Sequence, residues 1–142
     1  MLGIDYGARR IGLALSDATG TLASPWRLLE RPPSEAQTLG LVSEIVEQLK
    51  TGDDGLGAVV VGWPRRLDGS PTHQTAAAEA FARALETRAG LRVILQDERL
   101  SSHEADQRLA ASGERDWRAR KKKVDAMAAA IILQDYLDYV PR

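Results

Sequence analysis

The sequence predicts a single α/β domain built on a mixed five-stranded sheet, three antiparallel strands followed by βαβ units, with helices flanking it. Three observations lead there. Two short apolar runs, Met1 to Asp5 and Ile11 to Ser16, are joined by a Gly-containing turn and read as an antiparallel pair. Two compact aliphatic runs, Gly57 to Gly62 (GAVVVG) and Leu91 to Gln96, are of the kind buried on both faces of a sheet. Segments with apolar residues at helical spacing separate and follow them. At 142 residues the chain is the size of one domain, taken here as 1–142.

Each element has its own signal. Leu22 to Leu29 reads as a third strand, which Pro25 assigns to a sheet edge. Ser34 forms a capping box with Gln37, and Leu39, Val42, Val46 and Leu49 recur on one helical face before Gly52 ends the pattern. After GAVVVG comes a Pro/Gly/Arg loop, WPRRLDGSP. The next helix starts near Thr72, turns Ala77, Phe81, Ala84 and Leu85 inward, and stops at Gly90. Beyond Leu91 to Gln96, a capping box of Ser101 with Glu104 opens a helix that ends near Gly113. Val124 to Tyr139, rich in small and aliphatic residues (AMAAAIIL), forms a last helix expected to pack closely on the sheet. The predicted order is βββαβαβαα.

Composition narrows the chemistry. With 44% apolar and 27% charged residues and no apolar stretch near the roughly 20 residues that span a bilayer, a membrane protein is not expected. Asp5, Arg9 and Arg10 interrupt any secretory leader pattern, which points to the cytoplasm. The absence of cysteine excludes disulfides, thiolate zinc sites and thiol nucleophiles. His73 and His103 read as helix-start residues rather than ligands, so any metal must be held mainly by oxygen.

Asp5 ends a buried-looking strand, where an ionised carboxylate is costly to desolvate without a partner. The Asp97/Glu98 pair ends a later strand, and Asp125 shares a helix stripe with the apolar Ala128, Ala129 and Ile132. Singly, each has an ordinary structural explanation: a turn, a pairing with Arg99, a helix-start acid. Together, at three element ends of one small domain, they favour a site. Converging carboxylates repel unless a divalent cation lies between them, and oxygen ligands favour Mg²⁺ or Mn²⁺, the ions of phosphodiester hydrolysis. In an extended backbone the side chains of Asp97 and Glu98 point to opposite sides, so one of the two reaches the metal.

Net charge is −1, too low for a simple phosphate-coating protein, yet basic residues cluster beside the acids. Arg9 and Arg10 follow the first, Arg65 and Arg66 lie in the WPRRLDGSP loop, and Arg99 follows Glu98. Arg118, Arg120, Lys121, Lys122 and Lys123 precede Asp125. Such an arrangement suits neutralisation of a nucleic-acid backbone. Trp63 and Trp117, in loop-like basic segments, are candidates for base stacking, although packing is the commoner use of tryptophan.

The segments GIDYGARRIGLALSD, VVVGWPRRLDGSPTHQTAAAEAFARAL, DERLSSHEA and KKKVDAMAAAIILQDYL together resemble the YqgF/RuvX family, RNase H-like relatives of Holliday-junction resolvases. The resemblance spans nearly the whole chain. It implies an RNase H-like fold, a divalent-metal nuclease site, and RNA as substrate in 5′-end maturation of pre-16S rRNA. It also implies Asp5, Glu98 and Asp125 as catalytic acids, with Asp97 as an outer candidate. The chain departs from the wider pattern in one respect: resolvases take an acid from the end of the fourth strand, which here reads VVVGWP.

Three rivals remain. A structure-selective DNA resolvase would need two active sites and hence a homodimer, whereas the RNA nuclease is compatible with a monomer. A non-catalytic nucleic-acid-binding factor would use the acids only to shape the fold. An actin-like or sugar-kinase-like ATPase, suggested by GIDYG, requires two such lobes around a nucleotide and is disfavoured by the length.

Overall fold

The computed structural model describes residues 1–64, 68–97 and 117–139. β1 (Leu2–Tyr6), β2 (Arg10–Ser16) and β3 (Ala23–Glu30) form an antiparallel meander, followed by α1 (Glu35–Thr51), β4 (Ala58–Trp63), α2 (His73–Ala89), β5 (Arg92–Asp97) and α3 (Trp117–Tyr139). The sheet order is β3-β2-β1-β4-β5, with β4 parallel to β1 and β5 parallel to β4. β1 is therefore central. The predicted helix Ser101 to Gly113 lies outside the described residues, as does His103.

Local chemistry sets the element ends. The Ser34 hydroxyl accepts from the Gln37 amide at the start of α1, and Thr72 with Thr75 forms a capping box at the start of α2. Gly90 closes α2 at φ 67°, a conformation glycine adopts without steric cost. Pro25 sits on the edge strand as predicted. The pairing of β2 with β3 slips between Leu13↔Arg27 and Ala14↔Pro25, which leaves Trp26 as the extra residue of a bulge.

Helix α3 corrects one boundary. It begins at Trp117 rather than Val124, so the basic run lies within its first turns instead of preceding it. Cations near a helix N-terminus oppose the macrodipole. That effect is worth tenths of a kcal/mol, and Arg and Lys are otherwise good helix formers.

Two apolar layers sandwich the sheet. On one face Leu2, Ile4, Tyr6, Ile11, Leu13, Val59 and Val61 pack with Val42, Val46, Phe81 and Leu85 of α1 and α2. On the other, Ala14 and Val60 meet Ala129, Ile132, Leu133 and Leu137 of α3. The α3 layer is thin because its contacts are small. A Cβ built on Gly3 would lie 2.7 Å from the Leu133 Cβ and 3.0 Å from the Ala129 carbonyl oxygen. The far half of α3 is pinned by Gln134, whose side chain accepts from the Ala23 amide (2.9 Å) and donates to the Thr21 carbonyl (3.0 Å).

Between β2 and β3, the Asp17 carboxylate accepts from the amides of Thr21 (2.8 Å) and Leu22 (3.2 Å) and the hydroxyl of Thr19 (2.9 Å). These bonds, the Thr21 amide foremost, hold its carboxyl below the ordinary carboxylate range.

Two outcomes follow from this packing. Gly3→Ala is expected to destabilise the fold by about 1–3 kcal/mol, because Leu133 meets the new methyl with its own Cβ and the helix itself must shift; urea unfolding measures it. A carboxyl with a depressed folded pKa contributes stability above its unfolded value, about 3.9, that is lost as pH falls through the folded one. Asp17→Asn should accordingly be less stable than the parent at pH 7, with the two urea midpoints converging as pH drops below about 4.

Candidate active site

Strand alternation sends Leu2, Ile4 and Tyr6 toward α1 and α2 and leaves Gly3 and Asp5 on the α3 face. Asp5 is half-buried near the end of this central strand. Its registered partner on β2 is Gly12, and the parallel ladder that pairs Gly3 with Val60 and Ile4 with Val61 brings Gly62 alongside on β4. Gly62 in turn pairs with Gln96 on β5. The row across the sheet at this level is thus glycine, carboxylate, glycine, amide. The positions registered with Asp5 on the two neighbouring strands, Gly12 and Gly62, carry no side chain to fill the space beside it. A hydrated divalent cation needs that space, and in a chain without cysteine the donors on this face are hard oxygens, so the residues present fit such an ion.

The course of α3 relates Asp125 to this row. Tyr136 and Leu137, near the helix C-terminus, line a cavity with Met1 and Ser16, at the start of β1 and the end of β2. Leu133 and Ala129 lie over Gly3. α3 therefore runs antiparallel to β1, and position 125, one turn before Ala129, is displaced toward the strand end that carries Asp5. The sheet and helix bring these two acidic positions to one end of one face.

Asp97 stands differently. Val93 and Leu95 pack with the α1/α2 layer, and Asp97, two residues on and paired with Trp63, belongs to that same face, opposite Asp5. Glu98, Arg99, Arg65 and Arg66 lie outside the described residues. Among the described residues no three His, Cys, Asp or Glu side chains cluster as metal ligands.

Arg9 is exposed in the β1–β2 turn, and Arg10 shares the α3 face of β2 with Gly12, its Nε 3.8 Å from the Glu30 carboxylate. Arg118, Arg120, Lys121, Lys122 and Lys123 occupy the first turns of α3, the end nearer the Asp5 row. Trp63 corrects the loop assignment. It is the last residue of β4, half-buried, and its indole N–H donates to the Glu79 carboxylate (2.8 Å) on α2, so it ties strand to helix. Beside it, the Thr75 hydroxyl donates to the Pro64 carbonyl. Gly62 and Gln96 were legible from strand parity once the register was known; residue type alone did not mark them.

The sheet order, the antiparallel meander joined to two parallel strands, and the helix laid across Gly3 define an RNase H-like α/β fold. The chain resembles Thermus thermophilus RuvC solved in complex with a Holliday junction substrate, with a TM-score of 0.53 and 18% identity over 96% of this chain and 91% of that one, a likeness of fold. The model of the family RuvX, described as Holliday junction resolvase, matches residues 1–139, and the chain belongs to that family. Its relatives include proteins named "Putative pre-16S rRNA nuclease" from Maridesulfovibrio salexigens (42% identity, 96% of each chain) and Leifsonia xyli (42% identity, 96% of this chain and 84% of the relative).

Proposed function

We propose that this protein is a divalent-metal-dependent nuclease that hydrolyses phosphodiester bonds of RNA, acting in 5′-end processing of pre-16S rRNA. The observation that carries the chemistry is the Asp5 row, a carboxylate registered between Gly12 and Gly62 on the central strands of an RNase H-like sheet. The relatives' names support the substrate. Asp5, Glu98 and Asp125 are the residues that would hold Mg²⁺ or Mn²⁺. The opposite-face position of Asp97 supports Glu98 as the third acid. When bound, the ion supplies a more acidic water and neutralises charge on the phosphodiester oxygens.

The chain's own residues do the rest. The glycines beside Asp5 let a phosphodiester and its water approach the sheet, and the half-buried Asp5 carboxylate is positioned to orient that water. Hydrolysis adds the water's oxygen to phosphorus and breaks one P–O bond; its proton balance closes with a hydroxyl on one fragment and a phosphate on the other. Arg9 and Arg10 on the turn, the basic first turns of α3, and Arg65, Arg66 and Arg99 nearby in sequence would hold the backbone on either side.

The family's description favours a second reading, cleavage of four-way DNA junctions, in which two active sites act in a dimer. Cleavage of precursor rRNA and of a matched four-way junction, with the oligomeric state measured alongside, separates the two. No helix among the described residues is long and apolar enough to cross a membrane, which fits a cytoplasmic site of action.

Asp5→Asn is expected to lower metal-dependent cleavage by roughly a hundredfold or more, since even indirect partners of metal ligands cost 10- to 100-fold, while circular dichroism and thermal unfolding stay near the parent's. Asp97→Asn should cleave at close to the parental rate. Parental activity in Asp5→Asn would overturn the assignment, and loss in Asp97→Asn would restore that acid to the site.

A further inference from the structure

Arg31 follows β3 directly and is half-buried. Its guanidinium lies over the ring of Tyr6, 4.4 Å from the centroid. One terminal nitrogen donates to the Tyr6 hydroxyl (2.8 Å) and the other to the carbonyl of Gly7 (3.1 Å). Its backbone N–H donates to the carbonyl of Arg9 (2.9 Å). A single residue thus grips Tyr6, Gly7 and Arg9, three points of the segment that leaves Asp5. Tyr6 is itself fixed from behind by Phe81 of α2, stacked at 4.4 Å with the rings 12° apart.

The turn depends on such a grip. Gly7 donates to the Arg10 carbonyl (3.1 Å), and a Cβ there would meet that oxygen at 2.5 Å, so the chain passes close to itself with no side chain to wedge it. Tyr6 lies on the α1/α2 face, whereas Asp5 is on the α3 face. Arg31 therefore acts from the side of the sheet away from the candidate site.

We infer that Arg31 is a positioning residue for the reaction: it braces the β1–β2 turn from the far face, so that Asp5 and Arg9 are held in register without Arg31 touching the phosphate backbone. This role rests on the nuclease reading above. It distinguishes Arg31 from the other arginines near the turn, which would meet phosphate directly. Lysine cannot replace it, because one ammonium cannot lie flat on a ring and donate along two fixed directions as a planar guanidinium does.

Arg31→Lys and Arg31→Ala, assayed well below their unfolding temperatures with Mn²⁺ and a precursor rRNA fragment, test it. Both should lower kcat by about ten- to hundredfold, on the scale of a displacement of up to 1 Å at a reacting group. The slope of log binding affinity against log salt should stay at the parental value. Exchange of the Gly7 and Arg31 amide protons should be faster in Arg31→Lys than in the parent. Full activity in Arg31→Lys with a salt slope reduced in Arg31→Ala by about 0.7–0.9, one phosphate's worth, would instead make Arg31 a phosphate contact and overturn the role. Unchanged amide exchange with unchanged kcat would also overturn it. Absence of cleavage by the parent itself would overturn the nuclease reading, and this role with it.

Discussion

The structure depends on how closely α3 approaches the centre of the sheet. Gly3 has no side chain, so the Ala129 carbonyl and Leu133 Cβ lie almost against the backbone of β1. Interiors pack densely and transmit small displacements, so that contact fixes the height of the helix over the whole face. Because α3 runs antiparallel to β1, the same contact sets how far its N-terminal turns project beyond the strand. Two residues past Gly3 on the same face comes Asp5. One turn before Ala129 on the helix comes Asp125.

The two faces of the sheet are specialised. Toward α1 and α2 the central strands present large side chains, Leu2, Ile4, Tyr6, Ile11, Leu13, Val59 and Val61, which carry the burial. Toward α3 they present Gly3, Asp5, Gly12, Ala14, Val60 and Gly62, a surface that is small or polar and whose apolar part stops short of the strand ends. On the proposed function, stability and chemistry draw on different residues of the same strands. The half-buried Asp5 carboxylate sits near the end of a strand that the apolar layer on the other face anchors.

Much of this was legible from residue order. The strand and helix alternation, the edge position that Pro25 assigns, and the caps at Ser34, Thr72 and Gly90 all appear where local chemistry puts them. The start of α3 was not legible, because a run of cations looks unsuited to a helix N-terminus while a long apolar stripe downstream outweighs that cost. Trp63 looked like a loop residue through its neighbours Pro64 and Arg65, yet its indole had a partner, Glu79, sixteen residues away on another element. Arg31 gave no signal either. Its role arises from a β-sheet register that brings the end of β3 beside the start of β2, and such long-range adjacency has no local pattern. Between Asp97 and Glu98 the parity rule was available, but it discriminates only when the face of Asp5 is known.

The bulge at Trp26 has a consequence for how this sheet meets other molecules. β3 is an outer strand, and an outer strand offers free amides and carbonyls to any extended chain that comes alongside. Here the offer is spoiled twice: Pro25 has no amide to give, and the extra residue throws the remaining groups out of step. Lengthening of the sheet by a foreign strand, whether from another copy or from a partly folded neighbour, is hindered along this border. A protein that exposes an open-edged sheet in a crowded cell thereby carries its own guard against templated aggregation.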